Sequence, residues 1–310
     1  GWLTDLQESD LTKVPDIAPE EAARTLLHLL RSPEIASKRW VWRQYDHQVG
    51  NNTVLGPGGD AAVLRIDKAL PGPPVPTKWG IALATDGNGL YCFLDPFEGG
   101  KIVAEAARNV VCVGARPVAV TDCLNFGNPE KPDVYYQLEQ AIRGMSEACR
   151  ALGTPVISGN VSLYNETSGE AVYPTPVVGM LGVLQDVTRC VGVAFREPGD
   201  AVVLLGADTL DGDPADIGGS EYLREIHGVV AGDARGHRAR ARALGARLLA
   251  RGARRHAGGM RHFGRPGVRR RKDLHPGAAR RRTLRGAPVA RRGQRRPYER
   301  GGTARARGGP

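Results

Sequence analysis

Cysteine is sparse in this 310-residue chain, and its 5 residues are scattered as Cys92, Cys112, Cys123, Cys149 and Cys190. No C-x-x-C pair and no histidine at ligand spacing accompanies them, which argues against an ordinary zinc site and a disulfide framework. Reduced thiols of this kind point to the cytoplasm. No apolar run reaches membrane-spanning length, and nothing resembles a signal peptide. The chain opens on Gly1 rather than Met, as a piece of a longer protein would. Acidic residues are nearly missing from one part of it. Residues 231–310 hold 25 Lys and Arg against 3 Asp and Glu, which leaves 18 against 30 in residues 1–230. The formal net charge of +10 is therefore an average over two unlike pieces, and it carries no argument for a nucleic-acid partner. Aromatics are also few at 5%, and in the basic piece only Phe263 and Tyr298 occur. A segment so rich in Arg, Gly and Ala cannot bury enough apolar surface to fold, and is predicted to be disordered.

What is present is an alternation of helix and strand signals. Residues 1–18 read as a polar linker. Pro19-Glu20-Glu21 opens a helix with acids in its first turn, where they complement the dipole, and Ala22, Leu26, Leu29 and Leu30 form its apolar face. A second helix is predicted over 35–45. The turn Gly56-Pro57-Gly58-Gly59-Asp60 feeds an apolar strand; glycine loops of this kind wrap phosphates or metals but are common. Residues 80–85 read as a strand closed by Asp86, which suits an Asx turn or a ligand equally. A helix is predicted over 101–113 after Gly99-Gly100, then a strand over 117–121 ending at Asp122, then a polar loop through 124–129. The clearest helix spans 132–152, with Val134, Leu138, Ile142, Met145, Cys149 and Leu152 at three- and four-residue steps and Gly153 as its stop.

The stretch that organises the rest is Thr154-Pro155-Val156-Ile157-Ser158-Gly159-Asn160-Val161-Ser162-Leu163-Tyr164-Asn165-Glu166. Its apolar beginning reads as a buried strand, and small polar residues follow at the strand's end. Gly159 lets a ligand approach the backbone, the Asn160 amide oxygen is a hard donor suited to Mg²⁺, and Ser162 offers a hydroxyl. By itself this also fits a plain polar turn. Strand, helix and strand over 117–157 form a predicted βαβ unit, whose right-handed crossover ends both strands on one edge. Asp122 then lies beside Gly159, Asn160 and Ser162, a cradle for a Mg²⁺-bound nucleotide. An apolar segment over 177–184 and a strand over 201–205 follow, and Ser220 opens a helix to His227.

Six stretches resemble one family in its own order, nearly unbroken from about residue 30 to 230. They are Ala36-Ser37-Lys38-Arg39-Trp40-Val41, Gly56 to Val63, Ala119-Val120-Thr121-Asp122, Asn125-Phe126-Gly127-Asn128-Pro129-Glu130, Ser158 to Glu166 and Gly218-Gly219-Ser220-Glu221-Tyr222. The family is phosphoribosylformylglycinamidine synthase, also called formylglycinamide ribonucleotide amidotransferase. The resemblance implies an α/β (α+β) fold: an aminoimidazole-ribonucleotide-synthetase-like nucleotide-binding domain followed by a truncated second α/β domain. The implied boundaries are a linker and leading helix over 1–35, an ATP/Mg-binding domain over 36–196, the start of the second domain over 197–232 and the Arg-rich tail over 233–310. It implies ATP as substrate, Mg²⁺ as cofactor, and conversion of formylglycinamide ribonucleotide to its amidine with glutamine-derived ammonia in purine biosynthesis. A glutaminase subunit and a small bridging subunit are implied partners. By resemblance Asp122 and Gly159 contact ATP, Asn160 binds Mg²⁺ and Ser162 contacts the substrate, with Asp60 and Asp86 as second-rank ligands. The family's catalytic histidine lies in an earlier half with no counterpart here, and His28 and His47 match no catalytic position. No catalytic residue is therefore assigned, and the chain alone is expected to be inactive.

The resemblance stops after Gly232. An Arg-Gly-Ala-Pro bias is what GC-rich codons give when read out of frame, and the tail reads as frame-shifted. Two other functions compete: a sister ATP-dependent enzyme on the same fold, of the aminoimidazole ribonucleotide synthetase or selenophosphate synthetase type, and polyanion binding through the tail. The tail lacks regular base-stacking aromatics, so a nucleic-acid role is the weaker of the two.

Overall fold

Among the described residues, strands Thr53–Leu55, Ala62–Arg65, Gly80–Asp86, Thr175–Leu184, Arg116–Asn125 and Val156–Ser162 lie side by side in that order in one sheet, which organises the chain. The computed structural model describes residues 1–66, 77–194, 198–199 and 214–232. The strand expected over 201–205 and the whole tail over 233–310 lie outside the described residues.

The chain begins with helix α1 (Trp2–Gln7) and a 3-10 turn at Leu11–Lys13. The sequence reads this stretch as a linker, but the structure packs it. Gln7 Nε2 donates to the Leu94 carbonyl at 2.6 Å, the Gly232 N–H donates to the Leu6 carbonyl at 2.8 Å, and Leu11 is buried. Helix α2 (Pro19–Arg31) starts at its proline as predicted, yet its leucines 26, 27 and 30 stay exposed. The second helix shrinks to α3 (Arg39–Trp42), a single turn. Strands β1 (Thr53–Leu55) and β2 (Ala62–Arg65) then pair antiparallel across the glycine turn, and β2 pairs with β3 (Gly80–Asp86).

Three helices follow in close succession: α4 (Gly89–Leu94), capped by the Asn88 side chain, α5 (Pro96–Gly100), capped by Asp95, and α6 (Val103–Cys112). Gly99 and Gly100 do not introduce the next helix, as the sequence suggests; they belong to α5. The reason is the helix that comes later, α7 (Pro132–Leu152). A methyl at Gly100 would overlap the Ala141 carbonyl, and one at Gly144 would overlap the Phe97 carbonyl. The two helices therefore meet backbone to backbone, which no side chain allows.

Strand β4 (Arg116–Asn125) runs four residues beyond its predicted end, through Asp122 and the first two residues of the expected loop. Helix α7 matches its prediction at both ends and stops at Gly153 with φ 68°. It returns the chain to β5 (Val156–Ser162), parallel to β4, so the βαβ unit forms. A two-stranded hairpin, β6 (Glu166–Thr167) and β7 (Glu170–Ala171), leads to β8 (Thr175–Leu184). That strand inserts antiparallel between β3 and β4. Its burial alternates residue by residue, with Val178, Met180 and Leu184 under the helices. Helix α8 (Glu221–His227) is capped by Ser220, as predicted.

One apolar core lies between the sheet and helices α6 and α7. Val63, Ala82, Ala84, Val120, Leu124, Val178 and Met180 meet Val103, Ala106, Val110, Val134, Ala141, Met145 and Ala148 there. Small residues dominate, which keeps the helices close to the sheet. The alternation along β4 then fixes where its polar residues go. Asp122 falls between Val120 and Leu124 on the helix side, while Thr121 and Cys123 face the other way.

Candidate functional site on the edge strand

The expectation of a buried strand over 155–157 is overturned. Val156, Ile157 and Val161 are 47%, 65% and 55% exposed, and β5 lies at the end of the sheet order, pairing with β4 alone among the described residues. A short apolar run does not tell an inner strand from an edge strand, because period and composition are the same for both. The second correction concerns position. Gly159, Asn160 and Ser162 lie within β5, not on a loop beyond it.

The register pairs Thr121 with Ser158, Asp122 with Gly159, Cys123 with Asn160 and Asn125 with Ser162. Paired residues share a face, so the predicted neighbours fall on two sides. On the helix side, the Asp122 carboxylate lies over Gly159. A methyl there would overlap Asp122 Oδ1 and come within 2.8 Å of its Cγ. The glycine thus admits a carboxylate from the neighbouring strand, which the sequence alone does not reveal. On the other side, Ser158 Oγ donates to Thr121 Oγ1 at 2.8 Å, and Asn160 Nδ2 lies 3.8 Å from Cys123 Sγ. The expected cradle of a carboxylate beside an amide oxygen on one face is not what forms. Asp122 and Asn160 sit on opposite faces of one strand edge, linked by the Asn160 N–H, which donates to the Asp122 carboxylate.

Burial raises the Asp122 carboxyl above the ordinary range, and the Asn160 N–H opposes this. Asp86 occupies the same cross-strand row, since Asp86 and Asp122 both pair with Val178. Two strand spacings separate them, roughly 10 Å. Asp86 accepts from Asn109 Nδ2 at 3.0 Å, and burial pushes its carboxyl up to about 6, with Glu105 adding to the rise and Asn109 and Arg108 opposing it. Asp60 sits in the glycine turn before β2, exposed, and does not join the Asp122 row.

The backbone of β5 contributes as well. The Ser162 carbonyl accepts from the Phe126 N–H at 3.0 Å, so alternation turns the N–H and C=O of Asn160 toward β4 and those of Gly159 and Val161 toward the open edge. A ligand lying along that edge reaches the Gly159 backbone, the Asp122 carboxylate on one side, and Asn160 and Ser162 on the other. Among the described residues no group of three His, Cys, Asp or Glu is arranged to hold a metal. A cation here would take one or two protein oxygens, which suits Mg²⁺ because it keeps several of its waters.

Sequence reasoning did not find the supports of this edge. Loop 126–131 is clamped from the hairpin side: Lys131 Nζ lies 2.7 Å from Glu166 Oε1, which also accepts the Asn128 N–H at 3.2 Å. The Lys131 ammonium and that N–H hold the Glu166 carboxyl below its usual range. Asn165, one residue of the Ser158 to Glu166 stretch with no role of its own in the sequence, makes three side-chain hydrogen bonds.

Residues 58–184 match the family model described as AIR synthase related protein, N-terminal domain. Over 234 residues, 75% of the chain, it is 54% identical to a phosphoribosylformylglycinamidine synthase subunit PurL from Moorella thermoacetica. Over the same share it is 56% identical to the subunit of that name from Thermomicrobium roseum. Residues 58–184 are thus similar to an AIR synthase related N-terminal domain, and the longer matched segment to phosphoribosylformylglycinamidine synthase subunits. This longer segment spans about 30% of the length of each of these curated relatives. Among solved structures, that described as PurLQS from Thermotoga maritima is 37% identical, over 50% of this chain and 25% of that one, with a TM-score of 0.44. Among the described residues no helix is long and apolar enough to cross a membrane.

Proposed function

We propose that this segment supplies one wall of the ATP site of a synthetase that converts formylglycinamide ribonucleotide to its amidine. The observation that carries the reading is the β5 edge, where an outward glycine backbone, a carboxylate, an amide oxygen and a hydroxyl lie within five residues of register. In this reading the nucleotide lies along the edge, with Asp122 and Gly159 contacting it. Asn160 holds Mg²⁺ through its amide oxygen while its Nδ2 rests toward Cys123, and Ser162 contacts the second substrate. Bound Mg²⁺ neutralises phosphate charge. The chain's own residues align the two substrates, which is most of what phosphoryl transfer asks of a protein.

The reaction has two balanced steps. The substrate's amide oxygen attacks the γ-phosphorus of ATP as the amide nitrogen gives up its proton, releasing ADP and leaving a phosphorylated imidate. Ammonia then adds to the imidate carbon and phosphate leaves, giving the amidine. The ammonia comes from a glutaminase subunit, with a small bridging subunit completing the assembly in the cytoplasm. The residues named here bind and align the substrates, and none of them is assigned a proton transfer.

Sister enzymes on this fold also use ATP and Mg²⁺, so nucleotide binding cannot separate them. The test is a chimera in which residues 1–232 replace the matched segment of the Moorella thermoacetica subunit. Phosphate release that depends on both formylglycinamide ribonucleotide and ammonia supports the reading. Release that depends on formylglycinamidine ribonucleotide without ammonia, or on selenide, or no release while the unmodified subunit is active, overturns it.

A further inference from the structure

The orientation of the Asn165 side chain decides what kind of group Ser162 recognises. Asn165 follows β5 in the turn where Tyr164 adopts a left-handed backbone with φ 59°. That conformation is unfavourable for a residue with a bulky side chain, so the surrounding bonds must hold it. The Tyr164 N–H donates to the Gly127 carbonyl at 2.9 Å and the Asn165 N–H to the Phe126 carbonyl at 3.2 Å. Asn165 Nδ2 then donates to the Phe126 carbonyl at 3.1 Å and to the Ser162 carbonyl at 2.9 Å. Both neighbours of this nitrogen are carbonyl oxygens, so the reversed amide would set oxygen against two oxygens; the network fixes the orientation. Oδ1 is thereby left as an acceptor, and Ser162 Oγ donates to it at 3.1 Å. A serine hydroxyl has one proton and two lone pairs. With its proton committed to Asn165, Ser162 offers only lone pairs to a ligand.

We infer that Asn165 is a positioning residue that makes Ser162 an obligate hydrogen-bond acceptor, so that Ser162 recognises an N–H or O–H donor of the substrate and not its phosphate or a carbonyl oxygen. This rests on the proposed role of Ser162 at the substrate and adds the chemistry of the contact. On formylglycinamide ribonucleotide the donors are the ribose hydroxyls and the two amide N–H groups. A substrate analogue lacking the matching donor leaves Ser162 unpaired, while one lacking the phosphate does not touch this contact.

The test measures dissociation constants of the full 310-residue chain by titration calorimetry. The ligands are formylglycinamide ribonucleotide, its 2′-deoxy and 3′-deoxy forms, an analogue with the formamide N–H replaced by CH₂, one with the N–H at the ribose replaced by CH₂, and the dephosphorylated nucleoside. In the unmodified chain, one donor-deleted analogue binds about tenfold more weakly than the parent. Ser162→Ala brings that ratio close to one and leaves the nucleoside-to-parent ratio unchanged. Asn165→Asp supplies the readout that a merely structural role would not move. A protonated aspartic acid reproduces the acceptor and one of the two N–H donors of asparagine, whereas the carboxylate sets a bare oxygen against two carbonyls. The donor ratio is therefore close to that of the unmodified chain at pH 5 and is lost at pH 8, while the unmodified chain keeps its ratio at both. If Ser162→Ala collapses the nucleoside ratio instead, Ser162 donates to the phosphate and the inference fails. It also fails if no ratio responds to Ser162→Ala, or if Asn165→Asp shows no pH dependence. Absence of saturable binding by the unmodified chain overturns the site reading together with this inference.

Discussion

Replacing Gly159 by alanine tests the geometry of the edge. The new methyl would lie 2.8 Å from Asp122 Cγ and 3.2 Å from Oδ2, besides overlapping Oδ1. Carbon atoms in contact prefer about 3.5–4.0 Å, so the carboxylate must rotate away. Rotation breaks its bond from the Asn160 N–H, a hydrogen bond to a charged group worth about 1.5–3 kcal/mol, and the lower end applies at this partly exposed site. The strand itself gains roughly 0.5–1 kcal/mol from losing a glycine. The expected net loss is about 1 kcal/mol, read as a lower midpoint in urea at unchanged slope. In an Asp122→Ala background the overlap is gone, and the same substitution stabilises by about 0.5 kcal/mol. The two changes should therefore be coupled by about 1.5 kcal/mol. If the cost of Gly159→Ala is the same in both backgrounds within about 0.5 kcal/mol, the carboxylate does not occupy the glycine's space.

Other expectations follow from the same structure. The folded-state pKa of Asp86, about 6, lies above its ordinary value of 3.8. The fold therefore retains a proton that the unfolded chain releases, and the Asp86 contribution to stability, full below pH 4, is lost as pH rises to about 6. In EDTA, Asp86→Asn should raise stability at pH 8 by about 1–2 kcal/mol, after discounting for partial exposure, and change little at pH 4; equal effects at both pH values would contradict the shift. Gly144→Ala places a methyl against the Phe97 carbonyl, where no rotation relieves it, and should cost about 2 kcal/mol despite the better helix propensity of alanine; a neutral midpoint would show that α5 and α7 are not in backbone contact. The gene read in its other frames across codons 225–270 should continue the amidotransferase pattern beyond Gly232, and an absence of that pattern in every frame would establish the Arg-rich tail as the intended product.

Elements with strong local signals were legible in the sequence. Helix α7 carries nearly six turns of regular apolar spacing between a proline and a glycine, and both its ends match. The βαβ unit followed from that helix and two apolar runs. Strand lengths were not legible, because Asp122, Asn125, Ser158, Gly159, Asn160 and Ser162 are polar or small, which reads as loop, while cross-strand pairing decides otherwise. That Asp122, Gly159, Asn160 and Ser162 lie on neighbouring strands was legible, but their arrangement was not. Period-two alternation sends neighbours such as Asp122 and Cys123 to opposite faces, and only the register shows that Asn160 goes with Cys123. The packed start of the chain was missed because Gln7 and Leu11 are held by partners more than eighty residues away, or by a turn with no local pattern.

The central claim is that the β5 edge brings metal, nucleotide and substrate together, and the Mg²⁺ dependence of phosphate release in the chimera tests it most directly. Asn160→Ala should raise the Mg²⁺ concentration for half-maximal rate by about tenfold or more, the loss expected on removing one of few protein ligands. A half-maximal Mg²⁺ concentration unchanged by Asn160→Ala, at an unchanged rate, would mean that the metal is held elsewhere and that this edge is not the site.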